Sequence, residues 1–192
     1  MSVHPVLRQR ERAMPGIEGF WVFVFGDLAM FTLVFVTYAV VRNDHPAAFA
    51  QAQALLDADR GGINTLVLLT SSACVATAVS RVRVGDAGRA RAWLAGGIAG
   101  GVVFIVLKVS EYVASFDAGH TPGDGDFFVY YFALTGLHLL HVVAGCLILA
   151  AFWIRLGRGP LRSPVGFETA GIYWHLVDFL WLIIFPLIYL AR

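Results

Sequence analysis

Residues 131–145, YFALTGLHLLHVVAG, form an apolar segment that carries two histidines near its centre. Their spacing of three residues places His138 and His141 on one side of a helix. A second apolar segment, GIYWHLVDFLWLIIFPLIYL at residues 171–190, carries His175 and Asp178 at the same spacing. Ionisable side chains inside a bilayer are costly, so these positions are the first candidates for a structural or functional role.

The composition is that of a membrane protein. The 192 residues are 58% hydrophobic and 14% charged, with a mean hydropathy of +0.73, which excludes an ordinary soluble domain. A helix that rises about 1.5 Å per residue needs roughly 20 apolar residues to cross about 30 Å of hydrocarbon. We therefore predict one all-α domain over residues 1–192, a polytopic bundle of five transmembrane helices. The predicted helices cover about residues 19–41, 63–82, 92–115, 127–154 and 169–190.

The arginines predict the orientation of this bundle. Ten lie on one side of a five-span chain: Arg8, Arg10, Arg12, Arg81, Arg83, Arg89, Arg91, Arg155, Arg158 and Arg162. The other side has Arg42, Arg60 and Arg192. Because positive residues are retained in the cytoplasm, the N-terminus is expected inside and the C-terminus outside. Topology explains these basic loops, so they do not indicate nucleic-acid binding.

Two further patterns concern local structure. The connection at residues 42–62 predicts a short interfacial helix that begins near Pro46 and is ended by Gly61-Gly62. In the last span, Pro186 removes the backbone hydrogen bond to Leu182, which predicts a kink.

Small residues predict where helices pack closely. In the second span they recur every fourth position, at Ser72, Ala76 and Ser80. In the third span two GxxxG patterns overlap, formed by Gly96 with Gly100 and Gly97 with Gly101. Such faces let helices approach closely in lipid, so we expect a tight contact at the third span.

Lys108 and Glu111 form a candidate ion pair in the third span. They lie three residues apart on one side of the helix, and their opposite charges can offset each other's desolvation. The sequence allows two interpretations, a structural ion pair and a contact with a lipid headgroup or a partner subunit.

Four further ionisable residues, Asp27, His141, His175 and Asp178, come out at similar depths, roughly 10 to 16 Å from the inner side at about 1.5 Å per residue, with His138 a little farther outward. We predict that they meet in one polar layer, formed by Asp27, His138, His141, His175 and Asp178. Such a layer can be a structural network in which an aspartate holds a buried histidine. It can also be a histidine-ligated metal or haem site, or a proton or ion pathway. The chain has no nucleophile triad, phosphate loop or nucleotide fingerprint.

Taken in order, five segments resemble subunit III of the haem-copper oxidases, and the resemblance extends over about nine tenths of the chain. They are residues 19–40 (GFWVFVFGDLAMFTLVFVTYAV), residues 62–72 (GINTLVLLTSS), Glu111-Tyr112, residues 133–145 (ALTGLHLLHVVAG) and residues 173–190 (YWHLVDFLWLIIFPLIYL). The five-helix arrangement is similar to the bacterial form, without the two extra N-terminal helices of longer members. Within the family, KVSEY at residues 108–112 and residues 126–142 are most similar to NorE, the subunit III-like protein associated with nitric oxide reductase.

The resemblance implies a non-catalytic subunit or accessory protein of a haem-copper respiratory complex in the bacterial inner membrane. Such a protein supports the assembly, stability and proton uptake of a catalytic subunit I. It binds phospholipid in a cleft, while haem, with or without copper, belongs to the partner. The alternatives are an autonomous proton or ion transporter and a histidine-ligated haem or metal enzyme.

The resemblance also assigns positions. Asp27 matches an acidic residue that is usually glutamate, and the matching polar positions of the later helices are Glu111, His138, His141, His175 and Asp178. Leu139 replaces a glycine found in many oxidase subunits, and Lys108 beside Glu111 favours the nitric oxide reductase-associated form.

Overall fold

The computed structural model describes residues 18–159, 161 and 163–191, and the regular structure in these residues is entirely helical. Five helices are long and apolar enough to cross a membrane, which confirms the predicted all-α bundle. A π-helical turn extends the last one, and a short helix follows the first. The elements are α1 (Glu18–Asp44), α2 (Pro46–Gln53), α3 (Ala58–Arg83), α4 (Ala87–Asp117), α5 (Asp126–Gly157), α6 (Val165–Phe185) and the π turn (Pro186–Leu190).

Consecutive spans run in opposite directions, as contacts at both ends of the bundle show. At one end the Arg83 guanidinium lies 2.7 Å from the Glu168 carboxylate, which joins the end of α3 to the start of α6. At the other end Arg42 of α1 donates a hydrogen bond to the carbonyl of Ala191. We call the end of the bundle with the Arg83–Glu168 contact the basic end, because six arginines lie there: Arg81, Arg83, Arg89, Arg91, Arg155 and Arg158. Arg8, Arg10, Arg12, Arg162 and Arg192 lie outside the described residues, and the orientation in the membrane stays a prediction.

Four spans form a closed group and the fifth lies beside it. Helix α3 packs against α4 and α6, and α5 packs against the same two helices from the other side. Half of the most apolar stretch of α6 is buried, compared with 17% for α1. Helix α1 makes its main contacts with α5 and α2. The centre of the bundle is therefore α6, and α1 is peripheral.

The short helix after α1 starts at Pro46 as predicted, but the predicted end is wrong. Helix α2 ends at Gln53, and Gly61 and Gly62 lie within the first turns of α3. The reason is that Asp57 caps the start of α3, since its carboxylate accepts hydrogen bonds from the backbone N–H groups of Asp59 and Arg60 at 3.1 and 3.2 Å. A Cβ atom at Gly61 would lie 2.7 Å from the Phe185 ring, so this glycine provides close packing.

Pro186 changes the type of helix at the end of α6. The N–H of Ala191 bonds to the Pro186 carbonyl at 2.9 Å, which closes a π-helical turn. The last carbonyls of a helix lack donors from their own helix. Here the side-chain amide of Gln53 donates to the carbonyls of Leu187 and Ile188, both at 3.2 Å. The hydroxyl of Tyr38 also donates to Leu187, at 3.1 Å. Helices α1 and α2 therefore cap α6 at the end opposite the basic end.

The glycines of α4 face two different neighbours. A Cβ atom at Gly97 would lie 2.6 Å from Val75 of α3, and the hydroxyl of Ser71 donates to the Gly97 carbonyl at 2.6 Å. Gly100 also faces α3, where a Cβ would lie 2.7 Å from Ser71. Gly101 faces the other way, and a Cβ there would lie 2.5 Å from the Cys146 sulfur and 2.7 Å from the Trp174 ring. Gly96 has more room, with its nearest neighbour, the Cys74 sulfur, at 3.4 Å.

We expect Gly101→Val to destabilise the protein, because the added methyl groups would displace Cys146 and the indole of Trp174. Overpacking of this kind costs about 1–3 kcal/mol. The measurement is the midpoint of thermal unfolding in detergent, followed by size-exclusion chromatography. Gly96→Ala is the matched control on the same helix and should unfold near the wild-type temperature. Equal midpoints for the two variants would contradict the close packing at Gly101.

Candidate functional site

The most peripheral helix is tied to the bundle by a carboxylate–histidine contact. Asp27 of α1 is 6% exposed, and its Oδ1 lies 3.0 Å from Nε2 of His141 on α5. The other ring nitrogen of His141, Nδ1, lies 2.8 Å from the Leu137 carbonyl, which can only accept, so Nδ1 carries a proton. The hydrogen bond to Asp27 therefore needs one more proton, held either by the carboxyl or by Nε2. A shared proton thus joins α1 to α5.

A second polar group lies between α3 and α6. The Ser72 hydroxyl is 2.6 Å from Nδ1 of His175. Asp178, one helical turn farther along α6, is 7% exposed and lies within electrostatic range of both residues. Its Oδ1 has no hydrogen-bond partner among the described residues. This group fixes the packing of α3 on the central helix.

His138 stands apart from both groups. It is completely buried, and neither ring nitrogen has a hydrogen-bond partner in the part of the chain that the structure describes. Its ring lies edge-on to Phe104, with centroids 5.5 Å apart, and is tilted against Trp181 at 5.2 Å. The residue packs as an aromatic ring at the centre of the bundle.

The prediction of one polar layer formed by Asp27, His138, His141, His175 and Asp178 is therefore wrong. The carboxylate that reaches an α5 histidine comes from α1, and Asp178 stays with the Ser72 group. Residues three apart on a helix still differ by about 60° in direction, so His138 faces the interior while His141 faces α1. Among the described residues, no group of three or more histidine, cysteine, aspartate and glutamate residues could hold a metal ion.

The most enclosed charges are those of Lys108 and Glu111. Lys108 has no exposed surface, and its Nζ donates to Glu111 Oε1 at 3.0 Å. Nζ also donates to the hydroxyls of Tyr131 at 3.2 Å and Tyr189 at 2.6 Å. Both hydroxyls in turn donate to the same Oε1, at 2.7 and 2.5 Å. The four side chains form a closed hydrogen-bond network, which we call the Lys108 network, and it joins α4, α5 and the π turn.

Aromatic rings surround the ammonium group of this network. Its nitrogen lies 4.6 Å from the ring centroid of Tyr131, 5.1 Å from Tyr112, 5.3 Å from Tyr189 and 5.7 Å from Trp181. Aromatic faces attract a cation at these distances. The structure therefore places the ion pair inside the bundle, where no lipid headgroup reaches Lys108.

The sequence did not indicate the two tyrosines of the network. A tyrosine hydroxyl in an apolar span needs a hydrogen-bond partner. The presence of Tyr131 and Tyr189 in such spans could therefore have predicted a buried hydrogen bond at each. The sequence cannot show which span turns toward Lys108. In addition, Tyr189 follows Pro186, and a regular helix there would direct its side chain differently from the π turn.

We expect Lys108→Met to destabilise the bundle, because it leaves Glu111 buried without a cation. Removing one partner of a buried ion pair costs about 3–5 kcal/mol. The measurement is the thermal unfolding midpoint and the yield of folded protein in detergent. The double variant Lys108→Met/Glu111→Gln should recover part of the loss, since it removes the unpaired charge. A double variant less stable than Lys108→Met would contradict this account.

For the α1 contact, we expect Asp27→Leu to loosen α1 and α2 while α3 and α4 keep their protection. Hydrogen exchange followed by mass spectrometry measures this, because each helix yields separate peptides. Asp27→Asn is the conservative control, since an amide can still bond to His141. Uniform deprotection of all five spans in Asp27→Leu would mean that the contact supports the whole fold and not mainly α1.

Comparison with known proteins places this architecture in a family. Residues 14–191 match the family described as cytochrome c oxidase subunit III. The chain is 30% identical over 178 residues to cytochrome bo(3) ubiquinol oxidase subunit 3 of Pseudomonas aeruginosa, covering 91% of this chain and 84% of that protein. It is 30% identical over 190 residues to cytochrome c oxidase subunit 3 of Synechocystis sp., which covers 97% of this chain and 77% of that protein.

A longer relative is also similar. The heme-copper oxidase subunit I+III of Aeropyrum pernix is 28% identical over 179 residues, which cover 89% of this chain and 22% of that protein. The family match includes all five spans and the π turn. The predicted family is thus confirmed, and the chain belongs to the cytochrome c oxidase subunit III family.

Proposed function

We propose that this chain is a non-catalytic membrane subunit or accessory protein of a haem-copper respiratory complex. It stabilises the assembled catalytic subunit and supports its proton uptake. The observation that carries this proposal is the family match over residues 14–191. The internal contacts support it, because Asp27 bonds to His141 and Lys108 to Glu111 within the chain, as expected of a structural scaffold.

The proposed partner is a haem-bearing subunit of the subunit I type. The relative from Aeropyrum pernix carries both subunits in its name, I+III, which supports an association of the two components. In this proposal haem, with or without copper, resides in the partner, and this chain contributes packing surface and a protonatable contact at Asp27.

The proposal also concerns the type of complex, either an oxygen-reducing oxidase or a nitric oxide reductase. The relatives named above are oxidase subunits, whereas the resemblance of residues 108–112 and 126–142 to NorE favours nitric oxide reductase and hence denitrification. We propose the nitric oxide reductase-associated form on the basis of Lys108, whose ammonium group completes the network with Glu111, Tyr131 and Tyr189.

A phospholipid is the second proposed partner. A groove of about 570 Å³ lies between α1, α5 and α6, lined by apolar side chains that include Phe23, Ile148 and Tyr173. At the basic end it adjoins a pocket of about 400 Å³ that contains Arg155 and Arg158, and Arg155 lines both. An acyl chain fits the groove and a phosphate suits the guanidinium groups. This arrangement supports a cytoplasmic basic end, and the proposed location is the bacterial inner membrane.

We expect affinity purification of the tagged chain from its native membranes to recover a haem-bearing subunit. The chain expressed alone should show no haem absorbance. Oxygen and nitric oxide consumption by the purified complex then identify the reaction. His141→Leu should lower the recovery of the haem-bearing subunit several-fold, since it frees α1.

Two results would overturn the proposal. Stoichiometric haem on the isolated chain would make it a redox protein. Proton flux through the isolated chain in liposomes, abolished by Asp27→Asn, would make it a transporter.

A further inference from the structure

The outer surface formed by α3 and α6 carries a polar group at membrane depth. His175 lies about 15 Å along α6 from its first residue, at about 1.5 Å per residue, and its side chain is partly exposed. Its Nδ1 contacts Ser72 at 2.6 Å. Its other ring nitrogen forms no hydrogen bond with any residue that the structure describes. One side of this imidazole is therefore open to a group outside the chain.

His175 borders a groove of about 360 Å³ between the two helices. The lining includes the small residues Ala76 and Gly171, and the Arg83–Glu168 ion pair lies at the basic end of the groove. Asp178, one helical turn from His175, is 93% buried and does not line the groove. The groove thus combines a shallow surface with one polar group, His175, whose second ring nitrogen has no partner among the described residues.

Lipid chains are a poor occupant of this groove. Hydrocarbon offers no hydrogen bond, and an unsatisfied polar group there costs several kcal/mol. Exposed hydroxyls elsewhere on α3 are satisfied by their own helix, since Thr70 and Thr77 donate to the carbonyls of Leu66 and Ala73 at 2.8 Å. His175 has no such partner for its second nitrogen, so its position favours contact with protein.

The α3 side of this surface suits a close helix contact. Ala73, Ala76 and Ser80 are all exposed along it, so these small residues do not pack within the chain. Small residues let transmembrane helices approach closely, and a polar side chain at the contact adds an interhelical hydrogen bond. Both features are present here, on adjacent helices.

We propose that this surface, which we call the α3/α6 face, is where a transmembrane helix of the haem-bearing catalytic subunit docks, with a side chain that hydrogen-bonds His175. This inference rests on the proposed function and adds the location and chemistry of the contact. Arg83, whose side chain is 61% exposed, supplies a polar rim at the basic end of the face.

Photo-crosslinking in native membranes tests the location. A benzoylphenylalanine residue is placed at Ala76 in the groove or, as control, at Leu147, which is 68% exposed on α5 and does not border the groove. We expect a cross-link to the haem-bearing subunit from position 76 and none from position 147. A complex that co-purifies but cross-links only from position 147, or a lipid adduct alone at position 76, overturns the docking face and leaves the proposed function standing. Failure of any haem-bearing subunit to co-purify overturns both.

Substitutions test the chemistry. Ala76→Trp should fill the groove and lower the recovery of the haem-bearing subunit at least five-fold, whereas Leu147→Trp should not. His175→Leu should also weaken recovery, and His175→Gln should restore part of it because an amide can form the hydrogen bond. The unfolding midpoint of each isolated variant is measured in parallel. Wild-type recovery in both Ala76→Trp and His175→Leu would refute the proposal.

Discussion

A lipid bilayer offers no hydrogen bonds, so a charged side chain in the spans needs a partner in the chain or on a neighbour. In this bundle the partners are found at two separate contacts between helices. Lys108 and Glu111 are enclosed by tyrosines, and Asp27 bonds to His141 across the α1–α5 contact. These contacts determine which helices touch, because each joins a different pair of elements. The bundle is organised by where its charges find partners as much as by apolar packing.

Much of this fold was predictable from the sequence. Hydropathy and length indicate the five spans because a helix must be apolar over the whole hydrocarbon thickness. The spacing of Lys108 and Glu111 suggests a local pair, because residues three apart on a helix are neighbours. Contacts between helices were harder to predict. Depth alone groups Asp27 with all the histidines, whereas the rotation of each helix separates His138 from His141.

The end of α6 shows another limit of sequence reasoning. Pro186 signals an irregularity, but the resulting π turn determines where Tyr189 and the last carbonyls lie. Those carbonyls accept hydrogen bonds from Gln53 on the short helix α2. The short helix in this connection thus supplies donors to the last carbonyls of the most buried span. No periodicity in residues 42–62 indicates this role, since it depends on contacts more than one hundred residues apart in the chain.

The peripheral position of α1 has a consequence for biosynthesis. Helix α1 is made first, but its main span partner, α5, is the fourth of the five spans to be synthesised. Until α5 enters the bilayer, Asp27 has no His141 to bond, so α1 lacks its main contact with another span. The four spans α3 to α6 are consecutive in the chain and pack on one another. The four later spans can therefore pack on one another without α1, whereas α1 can take its place only once α5 is present.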